Sequence, residues 1–212
     1  MTDYTNAIKQ IQAAASLDLN AGIAQIQQVV AGFSAAGTGS GGGVVYSGTV
    51  DGYKAGQLAL DLANQTGMSI IDNTARGQFL ADQGVGQVIQ STLRKLFVDS
   101  GQTLAQAAGS ANNVLYGSAF IPSGQLGSIS TSLWGQASAD FAASLSGLVT
   151  VIASDSPVSR IFAQVEIPAL LANPDVTSVG GKSVSTLPAK AGSGVTDGVN
   201  QIDFGQFSSL AN

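Results

Sequence analysis

The fold is decided by the stretch Leu148-Val149-Thr150-Val151-Ile152-Ala153. Its β-branched residues favour a β-strand. Its apolar character is nearly continuous, which is typical of a parallel strand covered on both faces. An amphipathic helix is predicted directly before it, over residues 133–145. We therefore expect a central strand with helices on either side of its sheet.

Further strands and helices are predicted on both sides of this stretch. From residue 44 the order is strand, helix, strand, several helices, two strands, a short helix and a last strand, which predicts an α/β fold with a small central, mostly parallel sheet. Residues 101–132 are weakly patterned and are expected to contain an exposed loop. The predicted strands are 44–48, 69–71, 161–165 and 176–179, and the predicted helices are 52–66, 74–82, 87–97 and 168–172.

The chain ends differ from this middle part. Residues 1–33 carry apolar side chains at helical spacing and predict a helical segment, in which Asp18 or Asn20 would cap a second helix. Residues 34–43 are nearly all Gly, Ser, Ala and Thr and are interpreted as a flexible linker. A main domain is expected over 44–185, and a poorly patterned C-terminal tail over 186–212.

Composition excludes several kinds of chemistry. The 212 residues include no Cys and no His, so thiol nucleophiles, Ser-His triads and the usual zinc sites are excluded. The net charge is -5 and the few basic residues are scattered, which argues against nucleic-acid binding. We expect neither a signal peptide nor a membrane span, because no apolar run approaches about 20 residues. Catalysis would need carboxylates, hydroxyls, amines or aromatic rings.

Two acidic residues stand beside apolar runs at predicted strand ends. Glu166 follows Phe162-Ala163-Gln164-Val165, and Asp72 follows Ser69-Ile70-Ile71. Ligands of open α/β sheets bind at the carboxyl ends of strands, so both carboxylates are candidate site residues. The structural alternatives are a favourable interaction of Glu166 with a helix dipole and an N-cap role for Asp72.

Aromatic and hydroxyl side chains complete the candidate set. Trp134, the only tryptophan, opens the helix 133–145, and Ser138 follows one turn later on the same face. Tyr46 ends a predicted strand and precedes Ser47. Trp134 would form an aromatic wall for a planar ring. The structural alternatives are ordinary core packing of Trp134 and a half-buried strand position for Tyr46.

Taken together, residues 44–181 resemble the ADP-ribosyl cyclase / NAD glycohydrolase family. The resemblance rests on four ordered blocks rather than on one motif. They are Tyr46-Ser47, then Ile70-Ile71-Asp72-Asn73-Thr74-Ala75-Arg76-Gly77, then Trp134 with Ser138, Phe141 and Ala142, and finally Phe162, Val165 and Glu166.

The resemblance implies a role for each matched residue. Glu166 looks like the catalytic glutamate, Trp134 like the main aromatic wall, and Ser138 like the hydroxyl beside it. Asp72 stands where the family has a glutamate that recognises the nicotinamide amide. Tyr46 stands where the family often has a second tryptophan. Ser47, Arg76 and Phe162 lie in the same blocks and are predicted to contact substrate.

The implied fold is ADP-ribosyl-cyclase-like, and the implied activity is cleavage of the nicotinamide–ribose bond of NAD or NADP to nicotinamide and ADP-ribose, with some cyclic ADP-ribose. NAD is the substrate, and no separate cofactor or metal is expected. The lack of cysteine suggests a microbial branch of NAD-depleting toxins, secreted by a non-classical route or cytoplasmic, with an inhibitory immunity protein as partner. The N-terminal helical segment could dock on its own domain or on a second chain, so a homodimer is an open alternative. The alternatives are a mono-ADP-ribosyltransferase and a non-catalytic surface or interaction protein.

Overall fold

The computed structural model describes residues 3–39, 42–50, 52–117, 131–153 and 161–186. The chain divides into two compact units, and it enters each of them twice. The helical unit contains Met1–Ser34 and Ala75–Ala137, and the sheet unit contains Ala35–Thr74 and Ser138–Asn212. The range 44–185, expected to be one domain, is therefore divided between both units.

The helical unit begins with the helical segment predicted at the N-terminus, which forms two helices. The backbone N–H of Ala21 donates to Asp18 Oδ1 over 2.9 Å, so Asp18 is the N-cap of the second helix. The helices of this unit are α1 (Thr5–Ala14), α2 (Leu19–Ala31), α4 (Ala75–Ala81), α5 (Gln83–Asp99) and α6 (Leu104–Tyr116), and the unit boundary falls within α7 (Leu133–Ser144).

Helix α6 lies in the weakly patterned stretch 101–132, where the sequence pattern predicted no helix. Two of its four buried residues are alanines, which give a weak hydrophobic pattern. The start of α6 does carry a sequence signal. Thr103 and Gln106 form a capping box, in which each side chain binds the other residue's backbone N–H. The exposed loop predicted farther along falls on residues 118–130, outside the described residues.

The sheet unit confirms the predicted α/β class with a mostly parallel sheet. Four strands run parallel in the order β4-β1-β5-β6, and β7 joins antiparallel beside β6. Positive φ angles at Gly180 and Gly181 form the turn that reverses the chain into β7. The strands of this sheet are β1 (Gly43–Ser47), β4 (Ser69–Ile70), β5 (Gly147–Ala153), β6 (Val176–Val179) and β7 (Lys182–Ser183), and a small hairpin contains β2 (Thr49–Val50) and β3 (Tyr53–Lys54).

Helices α3 (Ala55–Thr66) and α8 (Ile167–Ala172) connect parallel strands of this sheet. The buried face of α3 packs on β1, β4 and β5. The core between them consists of Val44, Val50, Ala55, Leu58, Ala59, Leu62, Ala63, Ile70 and Ile152.

The strand predicted over residues 161–165 was wrong. Phe162–Glu166 form a π-helix that continues directly into α8. A short apolar run is ambiguous between strand and helix, and here the buried positions continue at helical spacing through Ile167 and Leu170.

The flexible linker predicted over residues 34–43 was wrong for residues 35–39, which pack within the sheet unit. The Gly39 N–H donates to Ser69 Oγ over 2.8 Å, and the Gly37 N–H donates to Ser144 Oγ over 3.1 Å. A Cβ added at either glycine would collide with the β4 region. This segment packs closely because its glycines let the backbone approach.

Within the described residues, none of the helices combines the length and the apolar character required to cross a membrane.

Candidate active site

The carboxyl ends of β1 and β4 place an aromatic residue beside an acidic one. In this parallel pair Gly43 lies opposite Ser69 and Val44 opposite Ile70. Two residues beyond the Val44–Ile70 pair, the same register places Tyr46 opposite Asp72. The Tyr46 hydroxyl donates to Asp72 Oδ2 over 2.6 Å. Asp72 lies in the 3-10 turn Ile71–Asn73, which precedes α4.

This edge is the place where the strand order reverses. From β1 the chain crosses through α3 to β4 on one side, and from β5 it crosses through α8 to β6 on the other. In open parallel sheets such a reversal leaves a crevice outside the carboxyl ends of the two central strands, where ligands bind. Tyr46 lies at the carboxyl end of one of these strands, and the π-helix packs against the same strand.

The Tyr46 ring is fixed in position by packing as well as by the hydrogen bond of its hydroxyl. It is half-buried and packs against the core between α3 and the sheet. A Cβ added at Gly56, in the first turn of α3, would lie 3.0 Å from the Cε2 atom of Tyr46. Gly56 is therefore a positioning residue that the sequence analysis missed. A glycine just inside a predicted helix was the available signal.

The π-helix carries Glu166. The N–H of Ile167 donates to the carbonyl of Phe162, five residues back, which is the bond that defines a π-turn. Glu166 is the last residue of this turn and is only 6% exposed. Its Oε2 atom is buried and has no hydrogen-bond partner among the residues that the structure describes. Such an atom is costly to bury, and π-turns often occur at functional sites.

Burial and a second carboxylate set the charge of this group. The pKa of Glu166 is raised to about 7, chiefly by burial and also by the charge of Asp72, while hydrogen bonding with the Ser138 hydroxyl acts in the opposite direction. The pKa of Tyr46 is also raised, first by burial and then by its hydrogen bond to Asp72. The sheet unit thus brings together Tyr46, Asp72, Ser138 and Glu166, which we call the carboxylate cluster.

Two other predicted contacts are buried near this cluster. Ser47 ends β1 and alternates with Tyr46, so it points to the opposite face of the sheet. Phe162 is 2% exposed and is part of the packing beneath the π-helix. In these positions Phe162 supports the turn that carries Glu166 and presents no open ring face.

Two predicted residues lie in the helical unit instead. Trp134 is the second residue of α7 and is partly exposed, and its role as an aromatic wall stays a prediction. Arg76 was predicted to contact substrate, but its guanidinium is buried. Its Nε donates to the carbonyl of Phe33 over 2.8 Å, and its Nη2 donates to that of Ala31 over 3.1 Å. It therefore satisfies carbonyls at the end of α2.

The helical unit also contains a surface groove of about 860 Å³ between α1 and α2. Small apolar residues and amide side chains form most of its walls, and Asp3 is the ionisable side chain among its lining residues. This lining offers no pair of acid–base groups, so the groove is a poorer candidate for catalysis than the carboxylate cluster. Among the described residues, no three acidic side chains are grouped as a metal site would require.

Comparison with known proteins gives no relative: no protein-family model matches the chain, nor does any curated protein or solved structure.

Proposed function

We propose that this protein is a NAD glycohydrolase that cleaves the nicotinamide–ribose bond, with Glu166 as its catalytic carboxylate. One observation carries the proposal: a buried carboxyl group with an unpartnered oxygen lies in the same cluster as Tyr46 and Asp72, at the carboxyl edge of a parallel sheet. The ordered sequence blocks that resemble the ADP-ribosyl cyclase / NAD glycohydrolase family supply the same residues.

The reaction suits a chain without histidine or cysteine. The nicotinamide ring of NAD is already cationic, so it leaves as a neutral molecule and needs no general acid. The ribose carbon that remains becomes positively charged, as in the transition states of glycosidases. A carboxylate fixed beside that carbon stabilises the developing charge, and it is most effective where water is excluded. Glu166 is buried enough to act in this way.

The remaining residues of the cluster would bind the nicotinamide end. The Tyr46 ring would form one side of the ring pocket. Asp72 Oδ2 accepts the bond from Tyr46, so Oδ1 would accept the carboxamide N–H of nicotinamide. The Ser138 hydroxyl would contact the ribose beside Glu166.

Several finer features belong to the same proposal and rest on the sequence resemblance alone. They are the ADP-ribosyl-cyclase-like fold, the use of NADP beside NAD, the formation of some cyclic ADP-ribose, a role as an NAD-depleting toxin and an immunity protein as partner. Water attack on the ribose gives ADP-ribose, whereas attack by the adenine of the same molecule gives the cyclic product.

The test is the product spectrum from NAD, measured by chromatography for wild type and Glu166→Gln. Loss of one well-placed electrostatic group costs about 3 to 4 kcal/mol of barrier, so turnover should fall by about 10²-fold or more. The matched control is Asp140→Asn, which neutralises an exposed carboxylate on α7 and should leave turnover unchanged. Equal NAD consumption by wild type and Glu166→Gln would remove the assignment.

A mono-ADP-ribosyltransferase would use the same substrate and a glutamate. Labelled NAD incubated with the protein and a cell lysate separates the two activities. Free labelled ADP-ribose is expected here, and label transferred to lysate proteins would favour the transferase. If the purified protein consumes no NAD, an interaction protein is the better description.

A further inference from the structure

The carboxylate cluster has negative groups without a positive partner among the described residues. Glu166 and Asp72 repel each other, and the groups that shift the pKa of Glu166 include no Lys or Arg. The nearest described cation along the chain in this unit is Lys54, which is exposed ahead of α3. A site of this kind is complementary to a ligand that carries its own positive charge.

The elements around Glu166 place three polar side chains of the described residues near it. Strand β1 offers the Tyr46 hydroxyl, the 3-10 turn offers Asp72, and α7 offers the Ser138 hydroxyl. Neither the rest of the π-helix nor α8 contains a titratable residue. A buried carboxylate in these surroundings is costly without a counter-charge, whereas the neutral acid is not.

The unpartnered Oε2 atom indicates that Glu166 is a neutral acid when no cation is bound, which avoids the cost of a buried charge. An acceptor oxygen with no donor is tolerated far better on a neutral acid than on a carboxylate, because the charged form loses more hydration energy. A cation that enters the site removes this penalty, since it supplies the missing counter-charge at close range.

We propose that the carboxylate cluster binds aromatic cations, and that Glu166 releases its proton to solvent as the cation enters. The O–H bond of the neutral acid breaks, the proton passes through water to the buffer, and the carboxylate remains opposite the bound cation. This inference rests on the proposed function, because a bound nicotinamide cation would then prepare the carboxylate that its own cleavage requires.

The proposal makes binding depend on pH in a defined direction. At a pH below the pKa of Glu166 in the free protein, a bound cation must displace a proton. The affinity for the cation should therefore fall about tenfold for each unit by which the pH is lowered. Above that pKa the proton is already absent, and affinity should level off. A neutral ligand of the same shape displaces no proton, so its affinity should change little.

The experiment uses 1-methylnicotinamide, a permanent cation that lacks ribose, and neutral nicotinamide as its matched probe. Binding to the full chain is measured by titration calorimetry between about pH 5 and 8, in pairs of buffers that differ in ionisation enthalpy. We expect close to one proton released per cation bound at the acidic end, about none for nicotinamide, and a plateau near the pKa of about 7.

Three variants locate the proton. Glu166→Gln should abolish both proton release and the pH dependence of cation affinity. Asp72→Asn removes a charge that raises the pKa of Glu166, so the plateau should begin at lower pH. Asp140→Asn is the control on α7 and should behave like wild type. An unfolding curve recorded for each variant at each pH confirms that the variant is folded under the conditions of the titration.

Cation affinity that stays flat with pH, no measurable cation binding, or proton release that persists in Glu166→Gln would overturn the inference. NAD consumption in the same preparations separates the two proposals. NAD cleavage without proton release on cation binding would sink this inference and keep the glycohydrolase. Proton release without NAD cleavage would sink the glycohydrolase and leave a site for aromatic cations.

Discussion

The hydroxyl of Tyr46 donates to Asp72 Oδ2 over 2.6 Å, across the carboxyl ends of two neighbouring parallel strands. The bond fixes the position of the Tyr46 ring and uses one oxygen of Asp72. The two residues therefore act as a pair, although the sequence separates them by a helix and a strand.

Tyr46→Phe removes the hydroxyl and keeps the ring. A hydrogen bond to a charged group contributes about 1.5 to 3 kcal/mol, so kcat/KM for NAD should fall about 10- to 150-fold if the pair positions the substrate. The control is Tyr53→Phe, which makes the same change at an exposed tyrosine of β3. Full activity in Tyr46→Phe would show that the bond is only structural.

Glu166 should make stability depend on pH. Its pKa rises from the ordinary 4.5 to about 7 in the folded protein, chiefly through burial, so the folded state binds the proton more tightly than the unfolded state. The resulting stabilisation is complete below about pH 4.5 and is lost as pH rises through about 7, by up to about 3 kcal/mol.

Urea unfolding at a series of pH values measures this effect as the difference between wild type and Glu166→Gln. Relative to the variant, wild type should lose stability between about pH 4.5 and 7 and then remain constant. If wild type instead gained stability over Glu166→Gln as the pH rose through this range, the pKa of Glu166 would not be raised by burial.

Arg76→Ala should weaken folding and not substrate binding. It removes donors to the carbonyls of Phe33 and Ala31, and those carbonyls lie where α2 ends. We expect a loss of about 2 to 4 kcal/mol in unfolding free energy, with KM for NAD unchanged at a temperature where the variant is folded. The control is Arg94→Ala, because Arg94 is exposed on α5. A raised KM with normal stability would restore Arg76 as a substrate contact.

Trp134 can be followed directly, because it is the only tryptophan in the chain. If it contacts the substrate, as the sequence resemblance implies, 1-methylnicotinamide should quench its fluorescence with the same midpoint as the calorimetric titration. Trp134→Ala should then raise KM for NAD more than it lowers kcat. Unchanged fluorescence at saturation, or unchanged kinetics in the variant, would place the platform elsewhere.

The four parallel strands of the sheet could be predicted because their apolar runs are short and rich in β-branched residues, whereas β7 has no apolar residue and was not predicted. β5 and β6 follow that pattern closely. The π-helix could not be predicted in this way, because Phe162–Glu166 looks like a short strand when considered alone. Helix α6 was missed because alanine gives little contrast on a hydrophobic face, although its capping box was present in the sequence.

The candidate site was predictable residue by residue but not as a geometry. The positions of Asp72 and Glu166 after apolar runs singled them out, and the structure brings both into one cluster. Their link through Tyr46 depends on the β1–β4 register, which is a long-range property of the sheet. The division into two interleaved units likewise leaves no mark on local patterns. Arg76 was assigned a role in binding because it stands in the same sequence block as Asp72.

Strand β1 pairs with β5, more than a hundred positions later in the chain, and both belong to the sheet unit. During synthesis on the ribosome, the chain has exposed Tyr46 and Asp72 long before β5 or Glu166 emerges. Every shorter product of translation or proteolysis that ends before β5 therefore lacks the two-sided sheet edge on which the cluster is built. Any activity of the site can therefore begin only after synthesis has passed both β5 and Glu166.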